Sequence, residues 1–501
     1  MTKGSDSEGS SGREPVKVAA AAPAGQRLRV FWLLTGLALF ALFYFLTGLP
    51  DAIDPDGRRI VLSAQGRMAV GLFLLAAVWW VFEVVPIGVT AIAIAVIQVF
   101  FQLRDARAAF TDFMDPAVWF IIGSITIGMV FTKTGLTNRM AYRMLTIVGE
   151  RTSRIYLGAF VMTAALTLVM AHTAVAAAIF PLLMTIHALY EEDAHPTRFG
   201  KGLFIGMAFT AGAGSIITLL GAARGAVAIE FFSQLAGRDI EFFELTYYML
   251  PVGAVMVFLL WVYVLLVFKP EQDVIPGLSE RAKQLHASLG PMSREERLGL
   301  AITMFAVAAM SLRSLVPAFA GLDKSAVIAG ATVLFFIFRI LRKKDLEALP
   351  WNIVLLFGGA MSLGLCLWQT GAAEWMAVSW LSLLHGHSIL TFVLGTAVLI
   401  MALTNIIMNV AAIAIALPVA LVMAPYLGAS PEIVLYVALA VAGMPFLFLV
   451  GAAPNAIAYE SGQFSTGEFF LAGLPASIIA VLVVALFATV IWPLMGMPVL
   501  S

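Results

Sequence analysis

The sequence predicts an all-α, polytopic membrane protein of about 11 transmembrane helices with two re-entrant hairpins. Three observations predict it. Of 501 residues, 61% are hydrophobic and only 12% charged, which is more apolar surface than a soluble chain of this size can bury. The apolar residues gather into segments close to the roughly 20 residues that one bilayer crossing needs. A short polar pattern also occurs twice: residues 167–181 read TLVMAHTAVAAAIFP and residues 404–418 read TNIIMNVAAIAIALP.

In chain order the apolar segments lie near 30–49, 68–83, 87–102, 117–133, 155–190, 201–234, 246–268, 297–318, 325–341, 351–369, 388–427, 432–458 and 470–498. Residues 1–28 are rich in Gly, Ser and charge and read as a disordered cytoplasmic tail. Segment 30–49 lacks the small-residue cleavage pattern of a signal peptide and reads as a retained first span. Segments 155–190 and 388–427 are long enough to enter the membrane and return. Each holds one of the polar repeats, and neither carries a charge at its turn. An exposed loop normally carries some charge, so both read as hairpins rather than as ordinary antiparallel spans. Two interrupted segments follow them, GAGSIITLLGAARGAV from Gly212 and VAGMPFLFLVGAAPNAIAYESG from Val441. Gly and Pro at mid-membrane mark broken helices whose free backbone groups can hold a ligand. A Gly-rich packing kink is the alternative, and its recurrence at matching places weakens it. Ahead of the hairpins, FIIGSITIGMVFTKTGL from Phe120 parallels LLFGGAMSLGLCLWQTG from Leu355.

The expected organisation is therefore a first half, 29–268, with hairpin 155–190 and broken helix 201–234. A cytoplasmic loop, 269–296, leads to a second half, 297–501, with hairpin 388–427 and broken helix 432–458. Lys and Arg gather in the N-terminal tail and near 133–154, 269–297 and 339–344, while the alternate loops are poor in both. The positive-inside rule then places the N-terminus in the cytoplasm of a cell inner membrane. With one hairpin entering from each side, the C-terminus falls outside and the halves are inverted repeats.

Net charge is zero, which gives nucleic acid no electrostatic footprint. The single Cys366 excludes a disulfide framework and a Cys-based metal site. An embedded enzyme would need a nucleophile with a base or a metal cluster. His172 has no acid in its segment, so no enzyme is expected.

Arg224 lies mid-segment in SIITLLGAARGAVAIEFF. A charge at such depth costs at least about 2.5–3.5 kcal/mol and must face a partner. That partner is either Glu230 or Glu83 in an ion pair, or an anionic substrate that the guanidinium fork matches. His172 either donates to a carboxylate or bonds a backbone carbonyl. Asn409 lines the site or caps its helix. Glu83, beside Pro86, reads as a buried acid bonding backbone amides at a helix break.

These residues resemble the divalent-anion:sodium symporters, the INDY-type di- and tricarboxylate carriers, over roughly 68–498. WWVFEVVPIGVTA from Trp79, LLFGGAMSL from Leu355 and PNAIAYESG from Pro454 are similar to that family's signatures. The resemblance implies a homodimer in which a scaffold domain holds the dimer and a transport domain moves as an elevator. It implies a dicarboxylate-like anion between the two hairpin tips, with sodium as the coupled ion and no other cofactor. On this reading His172, Thr173, Arg224, Asn409 and Asn455 bind substrate, and Thr404 and Asn409 belong to a second-half sodium site. Where the family carries Ser-Asn-Thr at each tip, this chain has Ala171-His172-Thr173 and Met408-Asn409-Val410. Ala222-Ala223-Arg224-Gly225 replaces Thr-Pro-Pro-Asn in the first broken helix. The first-half sodium site, at Thr167 and His172, is therefore expected to be altered, with Arg224 standing in for its cation. Met408, Val410 and Ala452 make one side of the pocket apolar. The alternative function is a sodium-independent exchanger or proton-coupled carrier of a partly apolar anion.

Overall fold

The computed structural model describes residues 26–46, 48–53, 58–191, 195–319, 321–381 and 388–500. Residues 1–25 of the expected tail lie outside the described residues, and helix begins at Gln26. Helix starts follow side-chain caps written in the sequence. Ser63, Asp105, Asp115, Thr197, Ser293, Asp323, Ser388, Ser430 and Ser465 each accept from a first-turn backbone N–H, satisfying groups that a helix cannot satisfy itself.

The helices of the first half run α1 (Gln26–Phe45), α2 (Ala64–Val81), α3 (Ile87–Phe100), α4 (Ala106–Thr111), α5 (Pro116–Thr134), α6 (Leu136–Val148), α7 (Thr152–Thr167), α8 (His172–Tyr190), α9 (Arg198–Gly214), α10 (Arg224–Ala236) and α11 (Phe242–Val267). The chain continues with α12 (Leu278–Ser288), α13 (Arg294–Leu315), α14 (Lys324–Ile337), α15 (Lys343–Glu347), α16 (Trp351–Gln369), α17 (Ala372–Leu381), α18 (Ile389–Ile406), α19 (Asn409–Tyr426), α20 (Pro431–Ala442), α21 (Ala453–Tyr459), α22 (Thr466–Leu486) and α23 (Trp492–Leu494). Strand structure among the described residues is one antiparallel pair, Ala52–Ile53 with Arg59–Ile60. Nine helices among the described residues are long and apolar enough to cross a membrane. The nine include α8, α18 and α19, which the sequence reading assigns to the hairpins, while the shorter apolar helices Ile87–Phe100, Lys324–Ile337 and Pro431–Ala442 fall outside that group; the expected count of about 11 and these nine therefore cover different helices.

Each hairpin segment divides at a short apolar stretch flanked by polar residues, Thr167 and His172 in the first and Asn405 and Asn409 in the second. Segment 155–190 becomes α7 and α8 with a break at 168–171, and segment 388–427 becomes α18 and α19 with a break at 407–408. Segment 201–234 opens between α9 and α10, and segment 432–458 opens between α20 and α21. The first arm of each broken helix packs on its own hairpin, α9 on α7 and α8, and α20 on α18 and α19. The second arm packs on the hairpin of the other half, α10 on α19 and α21 on α8. Around this centre, α1 packs on α2, α3 on α16 and α5 on α14.

Two polar clusters anchor the surrounding helices. Between α3, α4 and α16, Arg104 donates to Asp112 at 2.6 Å, to Gln98 Oε1 at 3.3 Å and to Gln369 Oε1 at 2.8 Å. Gln98 Nε2 donates to Ser362 Oγ at 2.9 Å, so every member of this buried group has a partner. At the start of α13, Arg139 donates to both oxygens of Glu296, at 2.9 and 3.1 Å. That pairing holds the Glu296 carboxyl below its usual range. A lowered folded value means stability that is present above the unfolded value and lost as pH falls through the folded one. The expected result is that Arg139→Gln melts lower than the parent at neutral pH, with the gap closing below about pH 4. Melting curves of both proteins across pH check it, and a gap unchanged at low pH counts against the pairing.

Glu83 corrects an expectation. It is exposed and sits in the left-handed region at φ 42°, so it is not a buried acid. The turn between α2 and α3 twists its side chain outward instead.

Candidate functional site

The two breaks and the two hairpins meet through backbone contacts, and glycine makes the contacts possible. In the first half, Gly221 O accepts from the His172 backbone N–H at 3.0 Å and lies 3.2 Å from His172 Nδ1. A carbonyl only accepts, so Nδ1 carries the proton of that bond. Thr218 Oγ1 donates to Leu168 O at 2.8 Å. A Cβ on Gly221 would lie 2.7 Å from both Thr167 O and Ser215 O, so only glycine lets the break sit on the end of α7. The second half repeats the arrangement. A Cβ on Gly451 would lie 3.0 Å from Thr404 O. Thr404 Oγ1 donates to Ala442 O at 3.0 Å, and Asn405 Oδ1 accepts from Leu447 N at 2.7 Å. Asn455 Nδ2 donates to Pro445 O at 2.8 Å and to Phe448 O at 3.1 Å, holding the second break in shape.

Both hairpin tips open onto one cavity of about 740 Å³. Ala171, His172 and Thr173 reach it from the first tip, and Met408, Asn409 and Val410 from the second. Ala222 and Ala223 form part of its wall. Opposite the tips the wall is largely apolar, with Ile125, Met129, Ile353 and Phe357. At one end Lys133 Nζ pairs with Asp345 at 2.5 Å.

The electrostatics come mainly from backbone. α8 and α19 begin at this cavity and neither has a side-chain cap. Their first-turn amides have no acceptor inside their own helices, and their dipoles place partial positive charge at the tips. Gly221 O holds the His172 N–H, and the remaining first-turn amides of the two helices, at one cavity, suit an anion. Asn409 is the first helical residue of α19, after Met408, so it does not cap the helix.

The structure thus brings His172, Thr173 and Asn409 together at the cavity. Arg224, Asn455, Thr404 and Thr167 do not line it. Arg224 is 1% exposed and stands at the start of α10, next to the wall residues Ala222 and Ala223. Its Nη2 donates to Ser215 Oγ at 2.8 Å, and its guanidinium crowds Gly443. Its Nη1 is buried without a partner. Neither proposed ion pair forms: Glu230 accepts from Gln234 at 2.9 Å, and Glu83 is exposed. Thr167 is buried, its hydroxyl donating to Ala164 O at 2.7 Å. Sequence reasoning read glycine as marking both breaks but missed the contacts that Gly221 and Gly451 make, and it missed the Lys133–Asp345 pair. Lys133 counted only toward orientation, and nothing local in the sequence links it to Asp345. Among the described residues, no group of three or more His, Cys, Asp or Glu is placed to hold a metal ion.

The family pattern described as the sodium:sulfate symporter transmembrane region matches residues 37–498. The chain belongs to this family. It is thereby a multi-pass membrane protein of the divalent-anion:sodium symporter group, as its motifs indicated. Among curated relatives, the sodium-dependent dicarboxylate transporter SdcS of Staphylococcus saprophyticus is 24% identical over 476 residues, covering 90% of each chain. SdcS of Staphylococcus aureus strain N315 is 24% identical over 484 residues, covering 92% of this chain and 91% of its own. Two solved structures share the fold of this symporter-family chain. Neisseria gonorrhoeae MtrF, described as illuminating a class of antimetabolite efflux pumps, superposes with a TM-score of 0.58 at 15% identity, covering 92% of this chain and 93% of its own. The Alcanivorax borkumensis YdaH transporter superposes with a TM-score of 0.54 at 16% identity, covering 95% and 99%.

Proposed function

We propose that this symporter-family protein is a secondary active transporter of a small organic anion, a di- or tricarboxylate, coupled to sodium. The observation that carries the reading is the pair of uncapped helix N-termini, α8 and α19, facing one cavity. Thr173 and Asn409 supply side-chain donors beside those amides. His172 with Nδ1 on Gly221 O presents Nε2 toward the cavity and orients the first tip. The relatives named for sodium-dependent dicarboxylate transport support the substrate class and the ion. Sodium prefers oxygen ligands. In the second half, Thr404, Asn409 and the carbonyls of the break between α20 and α21 supply them, with Asn455 fixing the carbonyl positions.

The proposed cycle is an elevator. The hairpins and broken helices form the transport domain, and α1 to α5 with α13 to α16 form the scaffold of a homodimer. The whole crosses the membrane about 11 times, with inverted halves and re-entrant hairpins. The N-terminus lies in the cytoplasm and the C-terminus outside. On this reading Lys133 and Asp345, beside the basic stretch 339–344, lie at the cytoplasmic mouth, and the site opens inward.

A second reading has its own observation. The cavity wall of Ile125, Met129, Ile353 and Phe357, with Met408 and Val410 at the tip, favours an anion with one apolar part, moved by exchange or with protons. Flux into proteoliposomes decides between them. The expected result is uptake of labelled succinate or citrate that falls when choline replaces sodium. Thr173→Ala and Asn409→Ala each reduce uptake on the order of 10-fold, since a hydrogen bond to a charged group is worth about 1.5–3 kcal/mol. Absence of uptake for every C4–C6 di- and tricarboxylate tested would refute the proposed substrate class. Uptake indifferent to sodium favours the second reading.

A further inference from the structure

Arg224 poses a question that the transport reading leaves open. Its charge is buried, and no carboxylate pairs with it among the described residues. As the first residue of α10 it stands at the positive end of its own helix dipole, an unfavourable place for a cation. What offsets this is the convergence of two other helix ends. α9 closes at Ser215 and α20 closes at Gly443, and the guanidinium lies against both. The negative ends of two helix dipoles, one from each half, therefore meet at a single cationic group. Nη1 remains without a hydrogen-bond partner, and the helix ends set only partial charges against the full charge of the guanidinium. Ala222 and Ala223, immediately before Arg224, line the cavity, so the residue that carries this charge adjoins the cavity wall.

The second half lacks such a group. Proline stands at its corresponding position, Pro454, and the next residue, Asn455, is spent on Pro445 O and Phe448 O. Carbonyl ends gathered without a cation of their own leave room for a mobile one. Carbonyl ends already holding a guanidinium repel one.

We infer that the Arg224 guanidinium is the fixed counter-charge of the first half of the site, so that this half binds the anion without a sodium ion. The inference rests on the anion-transport reading for its substrate and not for its ion count. A mobile cation near Ser215 and Gly443 would meet a permanent like charge. The anion in the cavity instead meets a positive field that is part of the chain.

The test separates the two claims. Purified full-length protein is titrated with radioactive sodium in the absence of any organic anion. At most one ion bound per chain is expected, and two or more would overturn the inference. Succinate affinity is then measured by thermal shift at saturating sodium for the parent, Arg224→Lys and Arg224→Gln. The expected result is a loss of about 10-fold or more in Arg224→Gln and about 3-fold or less in Arg224→Lys, which keeps the charge. Unchanged affinity in a folded Arg224→Gln protein would overturn the inference too. If Arg224→Gln does not fold, the sodium count on the parent still decides. If the parent binds neither succinate nor citrate, the proposed substrate class fails while the sodium count stands.

Discussion

Gly221→Val abolishes anion uptake, with a fall of more than about 10-fold at equal protein abundance. A Cβ at this position would lie 2.7 Å from Thr167 O and from Ser215 O, closer than real side-chain carbons approach. The obstructing atoms are backbone carbonyls at the end of α7 and the end of α9, so no rotamer change relieves them. The break must move, and Gly221 O moves with it. That carbonyl holds the His172 backbone N–H and Nδ1, so the first tip loses the contact that places α8 against the cavity. Overpacking of this kind costs about 1–3 kcal/mol, enough to displace the tip while leaving the protein assembled. Gly451→Val strikes the equivalent place, where a Cβ would lie 2.7 Å from Pro445 Cβ and 3.0 Å from Thr404 O, and should harm uptake as well. Labelled succinate uptake, normalised to the monodisperse protein peak, checks both. A Gly221→Val protein transporting at the parental rate would sink the idea that the break positions the tip.

Asp112→Ala destabilises the fold by about 3–5 kcal/mol, because it leaves the Arg104 charge buried without its partner. Arg104 and Asp112 are both buried, and their 2.6 Å contact is the shortest in a group that joins α3, α4 and α16. Gln98, Gln369 and the Ser362 carbonyl complete the guanidinium's bonding, but none of them is charged. Replacing both partners with apolar residues, Arg104→Met with Asp112→Leu, costs less than the single change, since no uncompensated charge remains. Thermal unfolding in detergent measures the difference. A single variant as stable as the double would show that solvent already reaches this group.

The cap residues show what was readable locally. Ser293, with Glu296 three residues on, is a complete capping box in sequence and in structure. The hairpin helices show the converse. Their starts carry no capping side chain, and the sequence gives no sign of why that is tolerated. The reason is spatial: the uncapped amides of α8 and α19 meet over one cavity. Arg224 shows the limit most sharply. Its depth marks it as costly, and Glu230 and Glu83 are the partners that the sequence offers. Neither is near in the required sense, and the contacts it makes, Ser215 Oγ and the backbone at Gly443, leave no trace in side-chain pattern.

Hydropathy, Gly and Pro placement and the repeated polar pattern are local properties, so the sequence alone determined a membrane-spanning helical chain, its family resemblance and the places where its long segments break. Only the tertiary structure decided which polar groups share the cavity. That outcome depends on α10 docking on α19 and α21 on α8, contacts between distant stretches of chain. Close backbone approach at Gly221 and Gly451 seats each break on the hairpin of its own half, and hydrogen bonds to main-chain carbonyls, which every residue carries alike, hold it in place.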